Sequence, residues 1–226
     1  METPASLKSV PAEETVLPTF LNLPADKQER VVEAALAEFA DKGYPQASLN
    51  TIVARSGIAK GSLYQYFRDK KGIFLYLFDY AISLVRRTLV GLKEATAAED
   101  FFTRLEKSLL AGVSFIRSHP RLYGLYLKIL FDRQVPRRDE LLTAIRRFAA
   151  DYLDSLLRQG LARGDLRPDL PTPTVIFLLD ALLDRFLQAA SVPAFDVNLG
   201  LDRATSEDLA RQVRELVAVL RYGLAP

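Results

Sequence analysis

The chain has no cysteine and a single histidine among its 226 residues. The lack of cysteine excludes a disulfide framework and a thiolate metal site, and one histidine cannot form a histidine cluster. That residue, His119, precedes Pro120 at a predicted helix end, so we interpret it as structural. A Gly-rich phosphate loop and a convincing Ser/His/Asp set are missing as well. The sequence therefore argues against an enzyme, and we expect no cofactor and no metal.

Long apolar runs are also missing, so we expect no membrane-spanning segment. The first 18 residues contain Glu2, Glu13, Glu14 and three prolines but no hydrophobic segment typical of a signal peptide. These absences favour a cytoplasmic protein with no membrane partner. The net charge is only +2, which argues against a uniformly basic nucleic-acid coat protein. Basic charge is instead local, because residues 55–71 alone carry five basic side chains against Asp69.

Helical periodicity runs through the whole chain, and no strand pattern, repeat or low-complexity tract interrupts it. The prediction is an all-α fold, with three helices in residues 24–67 and longer helices at about 70–92, 99–118, 121–133, from 136, 174–190 and 206–220. We divide the chain into a flexible N-terminal extension (1–23), a domain of short helices (24–72) and a domain of longer helices (73–226). Within the extension, Phe20, Leu21 and Leu23 are expected to fold back on the first helix.

Two short helical patterns meet at a glycine-centred turn in residues 43–67, GYPQASLNTIVARSGIAKGSLYQYF. Ser48 is placed to cap the first of these helices, because its hydroxyl can accept from an unpaired backbone N–H. Gly57 stands at the sharp turn, where glycine tolerates a positive φ. In the second helix Leu63 and Phe67 are four residues apart, so they share the face that points to the core. This arrangement is typical of a helix-turn-helix DNA reader.

The other side chains of the second helix are expected to face outward, towards phosphates or base edges. The basic start of the following helix, beside unpaired backbone N–H groups, favours phosphate binding. The predicted DNA-binding set comprises Ser48, Asn50, Lys60, Gly61, Ser62, Tyr64, Gln65, Tyr66, Lys70 and Lys71. Alternatives remain open: Tyr64 and Tyr66 could be core aromatics, the two lysines could be ordinary solvated side chains, and the motif could be a structural helical corner.

The segment EFADKGYPQASLNTIVARSGIAKGSLYQYFRDKKGIFLYLF resembles the N-terminal domain of the TetR family of transcriptional repressors. The shared pieces are the helix end at Gly43-Tyr44, the string GIAKGSLYQYF and the basic helix start after Asp69; the resemblance spans about Asp26 to Ala81. It implies a homodimer that binds double-stranded operator DNA, and a small-molecule effector bound between the C-terminal helices. The last two long helices of each subunit would form a four-helix bundle. Residues 24–72 are then the expected helix-turn-helix DNA-binding domain, and residues 73–226 the expected helical ligand-binding and dimerisation domain.

The C-terminal region is rich in aromatic residues, most of which must be core. If it also holds an effector cavity, as the resemblance implies, the lining should be apolar with a few polar groups, which favours a lipophilic or aromatic ligand. The predicted pocket residues are Phe102, Phe115, Tyr123, Tyr126, Phe148, Tyr152 and Phe177.

Association is predicted by residues 175–187, VIFLLDALLDRFL, which are apolar on more than one helical face. The spacing of the apolar residues in the last helix is typical of helix–helix packing. The predicted dimer interface comprises Leu178, Leu182, Phe186, Leu209, Val213, Leu216 and Leu220. Asp180 and Asp184 interrupt the apolar helix; they could line a pocket, a dimer seam or solvent, or pair with an arginine.

Taken together, these features predict a ligand-responsive transcriptional regulator, most simply a repressor, that binds a palindromic operator as a dimer and is released by an apolar effector. The alternative is a helical small-molecule-binding adaptor without operator binding. That alternative predicts loss of the set Lys60, Tyr64 and Lys71, all of which are present.

Overall fold

A computed structural model describes residues 16–224 of the chain. Within this range the fold is all-α, as predicted, and no strand occurs. The helices are α1 (Pro18–Leu21), α2 (Ala25–Gln46), α3 (Leu49–Ser56), α4 (Lys60–Tyr66), α5 (Lys70–Ala95), α6 (Phe101–Ser118), α7 (Pro120–Phe131), α8 (Arg138–Arg163), α9 (Thr172–Ser191) and α10 (Ser206–Leu224), with a short 3₁₀ helix at Pro193–Phe195. The predicted long helices agree with these bounds to within a few residues.

The described residues form two compact units: unit 1 comprises residues 16–84 and His119–Ile145, and unit 2 comprises Val85–Ser118 and residues 146–224. Helices α5 and α8 each contribute residues to both units. This division by contacts differs from the predicted boundary after residue 72, because the following helix start and α7 pack with the first helices. The functional assignment of residues 24–72 and 73–226 stays a prediction.

Unit 1 is built around α2, which packs against α3 and α7. One face of α2 is apolar at helical spacing, and Val32, Leu36 and Phe39 are buried there. Gly43 leaves the helical conformation with φ of 72°, at the position where the sequence predicts the helix to end. The chain resumes a helical turn to Gln46, and this kink precedes the entry into α3.

The second part of the predicted extension contains the short helix α1, which packs through one aromatic side chain. The assignment of residues 1–23 as a flexible extension stays a prediction. Phe20 is fully buried, and its ring lies 4.8 Å from that of Phe67 and 5.8 Å from that of Tyr66. The backbone N–H of Leu17 donates to the carbonyl oxygen of Tyr66 at 2.8 Å. The expected burial holds for Phe20 but not for Leu21, which is exposed. Residues 1–15, which include most of the segment tested for a signal peptide, lie outside the described residues.

Unit 2 is built around α6, which packs against both α9 and α10. Leu105, Leu109 and Val113 of α6 are fully buried, at a spacing of four residues that places them on one face. Among the described helices, none is long and apolar enough to cross a membrane.

Candidate nucleic-acid interface

Two side chains hold the start of α3: a serine hydroxyl and a glutamate carboxylate. The hydroxyl of Ser48 accepts from the backbone N–H of Thr51 at 3.4 Å, which confirms the predicted cap. The backbone N–H of Ser48 itself donates to a carboxylate oxygen of Glu38 at 3.0 Å. The other Glu38 oxygen lies 3.6 Å from a guanidinium nitrogen of Arg55. Glu38 therefore ties α2 to both ends of α3.

Sequence reasoning missed Glu38. Only 3% of its surface is exposed, between Ala37 and Phe39 on the buried face of α2. A charged residue in the middle of an apolar face was the available signal, because such a residue is almost never buried without partners.

The turn between α3 and α4 has the expected geometry. Gly57 adopts the left-handed conformation with φ of 68° and ψ of 26°, which a residue with a Cβ adopts only at a cost. Ala59 then stands in extended conformation immediately before α4. The turn thus separates two helices of eight and seven residues, and α4 is the second, reading helix of the motif.

Burial divides α4 into an inner and an outer face. Leu63 is 1% exposed and Phe67, just after the helix, is also buried. Lys60, Gly61 and Gln65 are exposed and Ser62 is half-buried. Tyr64 is 52% exposed, so the alternative that it is a core aromatic is wrong. The outer face therefore presents a cation, an amide, two hydroxyls and accessible backbone, which are the groups that contact phosphates and base edges.

Tyr66 does not belong to this outer face, so the prediction that it points outward is wrong. Its surface is 5% exposed, its ring contacts Phe20, and Lys27 lies over it at 6.0 Å. Tyr66 is three residues from Leu63 and so lies at the edge of the inner face, where Phe20 covers it.

The lysines at the start of α5 have different surroundings. Lys70 donates to the carbonyl oxygen of Pro45 at 3.0 Å and lies 5.0 Å from the ring centre of Tyr44. Partial burial lowers the pKa of Lys70, and the negative charge of Glu38 opposes that shift. Lys71 is half-buried. Lys70 is therefore already engaged by its own unit, and Lys71 is the better candidate for a phosphate contact.

The helix start beside these lysines is not an empty anion site. Asp69 accepts from the backbone N–H of Gly72 at 2.7 Å and so caps α5. One of the free N–H groups expected to face a phosphate is therefore occupied. Of the remaining predicted residues, Asn50 is exposed and Ser48 is half-buried.

The predicted pocket residues do not share one environment. Tyr123 and Tyr126 belong to unit 1, where their rings lie 5.5 Å apart, whereas the others belong to unit 2. In unit 2, Phe102 is buried and Phe115, Phe148 and Tyr152 are half-buried. Phe177 is 70% exposed on α9, so its assignment to a pocket is wrong: it points to the surface of its own chain.

Comparison with known protein families matches two stretches of this chain. Residues 31–77 match the model of bacterial regulatory proteins of the tetR family. Residues 99–225 match the tetracyclin repressor-like C-terminal domain, which alone covers more than half of the sequence.

The chain belongs to the TetR family. It is therefore a transcriptional regulator, as predicted, and membership of this family of regulatory proteins also confirms that it is not an enzyme.

Individual relatives agree with this assignment. The chain is 25% identical over 165 residues to the probable acrEF/envCD operon repressor of Escherichia coli, covering 71% of this chain and 74% of that protein. It is 28% identical over 148 residues to the fatty acid metabolism regulator protein of Bacillus subtilis, covering 64% and 73%. A crystal structure of a TetR family transcriptional regulator from Chloroflexus aurantiacus is 32% identical, with a TM-score of 0.69 and coverage of 94% and 99%.

In this TetR-family chain, part of the predicted dimer interface is internal. Phe186 and Leu209 are 5% exposed and Val213 is fully buried, because α9 and α10 both pack against α6. Their assignment to a partner-facing surface is therefore wrong. Leu182, Leu216 and Leu220 are half-buried, and Leu178 is 54% exposed.

Four apolar residues of α9 and α10 are exposed instead, and we call them the exposed apolar set: Phe177, Leu178, Val219 and Tyr222. Three of these four were not predicted as interface residues. Sequence pattern identified two apolar sides on these helices but not which side the chain itself covers.

The two acidic residues of α9 have a partner within unit 2. Arg146 of α8 donates to a carboxylate oxygen of Asp180 and to one of Asp184, each at 3.1 Å. Of the alternatives left open by the sequence, pairing with an arginine is the one observed, and that arginine is in the same chain.

Proposed function

We propose that this regulator binds a palindromic operator as a homodimer, with α4 of each subunit in the major groove. Lys60, Gly61, Ser62 and Gln65 would contact base edges there. The observation that carries the proposal is the division of α4: its outer face is polar and accessible, while Leu63 and Tyr66 anchor it from beneath. A rigidly anchored helix with such a face is what base readout requires.

Phosphate contacts would come from Asn50, Tyr64, Lys71 and the half-buried Ser48. Lys70 has a different role in this proposal. Its bond to the carbonyl of Pro45 would hold the start of α5 against the kinked end of α2, and so position Lys71. The concentration of positive charge at residues 55–71 supports binding to a polyanion in a molecule that is otherwise nearly neutral.

The names of two relatives support a proposal of repression and of release by an effector. One of them is named as an operon repressor and another as a fatty acid metabolism regulator. We propose that this chain also represses, and that a small molecule bound in unit 2 releases the DNA. Because α5 runs from the first unit into the second, it is a natural element to transmit the change. A ligand can act in this way only if it favours one conformer over another.

The test is selection of duplexes from random DNA, followed by titrations of the selected duplex at several salt concentrations. Gln65→Ala should relax preference at one base position, with a cost of about 1–3 kcal/mol for the preferred base. Lys71→Ala should weaken all duplexes alike and reduce the salt slope by about one.

Lys107→Ala is the matched control, because Lys107 lies on α6 in unit 2 and is exposed. It should leave both the preference and the salt slope unchanged. A dimeric wild-type protein that prefers no duplex over random DNA at moderate salt would contradict the proposal and favour the adaptor alternative.

A further inference from the structure

Unit 2 contains a buried arginine without a carboxylate partner. Arg104 of α6 is 4% exposed, and its Nη1 donates to the side-chain oxygen of Gln159 at 2.5 Å. Its Nε has no hydrogen-bond partner, and no acidic side chain pairs with it among residues 16–224. A guanidinium is always charged and carries five N–H donors, and burial of such a charge is costly unless an anion compensates it. The partner that is missing here is therefore an anion.

Polar side chains from three helices extend this environment. The hydroxyls of Ser108 and Tyr152 lie 2.7 Å apart, and Lys93 donates to the hydroxyl of Ser155 at 2.8 Å. The amide of Gln159 also contacts Ser155, at 3.4 Å. We call this group the head cluster: Lys93 of α5, Arg104 and Ser108 of α6, and Tyr152, Ser155 and Gln159 of α8. It contains two cations and no acid.

Tyr152 is the second strong donor of the head cluster. Burial raises the pKa of its hydroxyl, and the hydrogen bond to Ser108 and the positive charge of Arg104 oppose that rise. The hydroxyl therefore keeps its proton at neutral pH and lies within the field of the guanidinium. The Ser108 hydroxyl donates to the backbone carbonyl oxygen of Arg104 at 2.8 Å, so the Tyr152 hydroxyl donates to Ser108. Rotation of the Tyr152 hydroxyl towards Arg104 would give an anionic oxygen a neutral donor beside a buried cation.

The same helix faces become apolar next to the head cluster. On α8, Phe148 precedes Tyr152 by four residues and shares its side of the helix. On α6, Phe115 follows Ser108 by seven residues, and on α5, Leu89 precedes Lys93 by four. All three apolar side chains belong to unit 2 and are half-buried.

The pairing of helices places these apolar residues on the same side of the head cluster. The guanidinium of Arg86 lies 5.8 Å from the ring centre of Phe148. Seven residues further along each helix, Lys93 of α5 contacts Ser155 of α8. Helices α5 and α8 thus run in the same direction. Helix α6 runs against them, since Arg104 meets Gln159 and Ser108 meets Tyr152. No side chain of α5 from Val85 to Ala95 is buried, so this stretch is not closed off by packing.

We propose that unit 2 binds an amphipathic carboxylate, whose head accepts from Arg104 and Tyr152 and whose apolar tail lies along Leu89, Phe115 and Phe148. This inference rests on the proposed function, because it names the chemical class of the effector. It also refines the sequence prediction of an apolar effector held by a few polar groups, since a buried guanidinium favours a ligand with an anionic group.

The test is a calorimetric titration of the full-length protein without DNA, using octanoate, dodecanoate and 4-phenylbutyrate. The matched ligands are dodecanol, which has the tail without the charge, and inorganic phosphate, which has the charge without the tail. At least one carboxylate should bind saturably, and dodecanoate should bind about tenfold to a hundredfold more tightly than dodecanol. Phosphate should bind more weakly than any carboxylate that binds.

Arg104→Gln should remove the preference for dodecanoate over dodecanol while keeping the affinity for dodecanol. Arg158→Gln is the matched control: it removes the same charge from α8, but Arg158 is 76% exposed and pairs with Asp154. It should leave both affinities unchanged. If Arg104→Gln does not fold, Tyr152→Phe serves instead, and it should weaken dodecanoate severalfold without affecting dodecanol.

Three results would overturn the inference: saturable binding by none of the carboxylates, equal affinity for dodecanoate and dodecanol, or loss of both ligands in the Arg104 variant. None of these results depends on operator binding, because no DNA is present. A separate titration with the selected duplex then tests regulation. Dodecanoate should weaken DNA binding, and DNA should weaken dodecanoate binding by the same factor. A carboxylate that binds but leaves the DNA affinity unchanged would contradict the proposed effector control and leave the site itself established.

Discussion

At the scale of single residues, the DNA-binding region depends on one buried carboxylate, that of Glu38. Glu38 accepts from the backbone N–H of Ser48 and lies near Arg55 and Lys70. It thereby connects α2 to the capping residue of α3. A buried ionised group of this kind is tolerated only because its oxygens are satisfied, so removal of the group should be costly.

We predict that Glu38→Ala lowers the free energy of unfolding by about 1–3 kcal/mol, because it removes the acceptor of the part-buried backbone N–H of Ser48. Glu38→Gln keeps an acceptor oxygen and should cost less. The measurement is urea unfolding of the purified variants.

Glu33→Ala provides the control on the same helix. Glu33 pairs with Arg121, but both side chains are more than half exposed, so the change should stay within about 1 kcal/mol. Equal losses in the Glu33 and Glu38 variants would show that the buried contacts of Glu38 carry no special weight.

The exposed and buried tyrosines of α4 illustrate how far sequence reasoning reaches at a single position. The capping group of Ser48, the turn at Gly57 and the inward position of Leu63 follow from local chemistry, and the structure agrees with each. Tyr66 does not follow from local chemistry, because Phe20 lies 46 residues away in the sequence. An aromatic residue at the edge of a helix face is buried or exposed according to what distant segment covers it.

At the scale of elements, α1 packs against the end of the reading helix α4 and stabilises it. Its Phe20 ring packs against Tyr66 and Phe67, and the hydroxyl of Thr19 donates to the carbonyl oxygen of Gln65. Leu17 adds a backbone bond to Tyr66. Two of the carbonyl groups left free at the end of α4, those of Gln65 and Tyr66, are therefore satisfied by this segment.

We predict that Phe20→Ala destabilises the protein by about 3–5 kcal/mol, as expected for a fully buried aromatic ring replaced by a methyl group. Leu21→Ala should change stability by at most about 0.5 kcal/mol, because Leu21 is 56% exposed. Thermal unfolding of the two variants measures the contrast. If both variants melt like the wild type, α1 is not a structural part of unit 1.

The sequence predicted where the helices lie but not which side of each helix is covered. Their existence and approximate bounds follow from periodicity and from breaks at Gly43, Pro120 and Pro136. The side on which each helix is covered does not follow when two sides are apolar, as in α9 and α10. Leu209 and Val213 turned out to face α6, whereas Phe177 and Val219 are exposed. That choice is made by tertiary packing, which a single-helix pattern does not contain.

At the scale of the whole molecule, the exposed apolar set of α9 and α10 favours association of two chains. Phe177 and Leu178 of α9 and Val219 and Tyr222 of α10 are each more than half exposed, and large exposed apolar residues on both helices favour a surface for a partner. A second subunit would also supply the second reading helix, because two copies of α4 spaced roughly 34–36 Å apart can read successive major grooves.

We predict that Phe177→Glu combined with Val219→Glu yields a folded monomer, because a two-fold interface brings like charges together and buries them. Sedimentation at micromolar concentration measures the assembly state, and circular dichroism verifies that the helices remain. In contrast, Val213→Glu should unfold the protein, since Val213 is fully buried within its own chain. The monomer should bind the operator about a hundredfold or more weakly than the dimer, because the second half-site is no longer held at high effective concentration. A wild-type chain that sediments as a monomer, or a double variant that stays dimeric, would place the interface elsewhere.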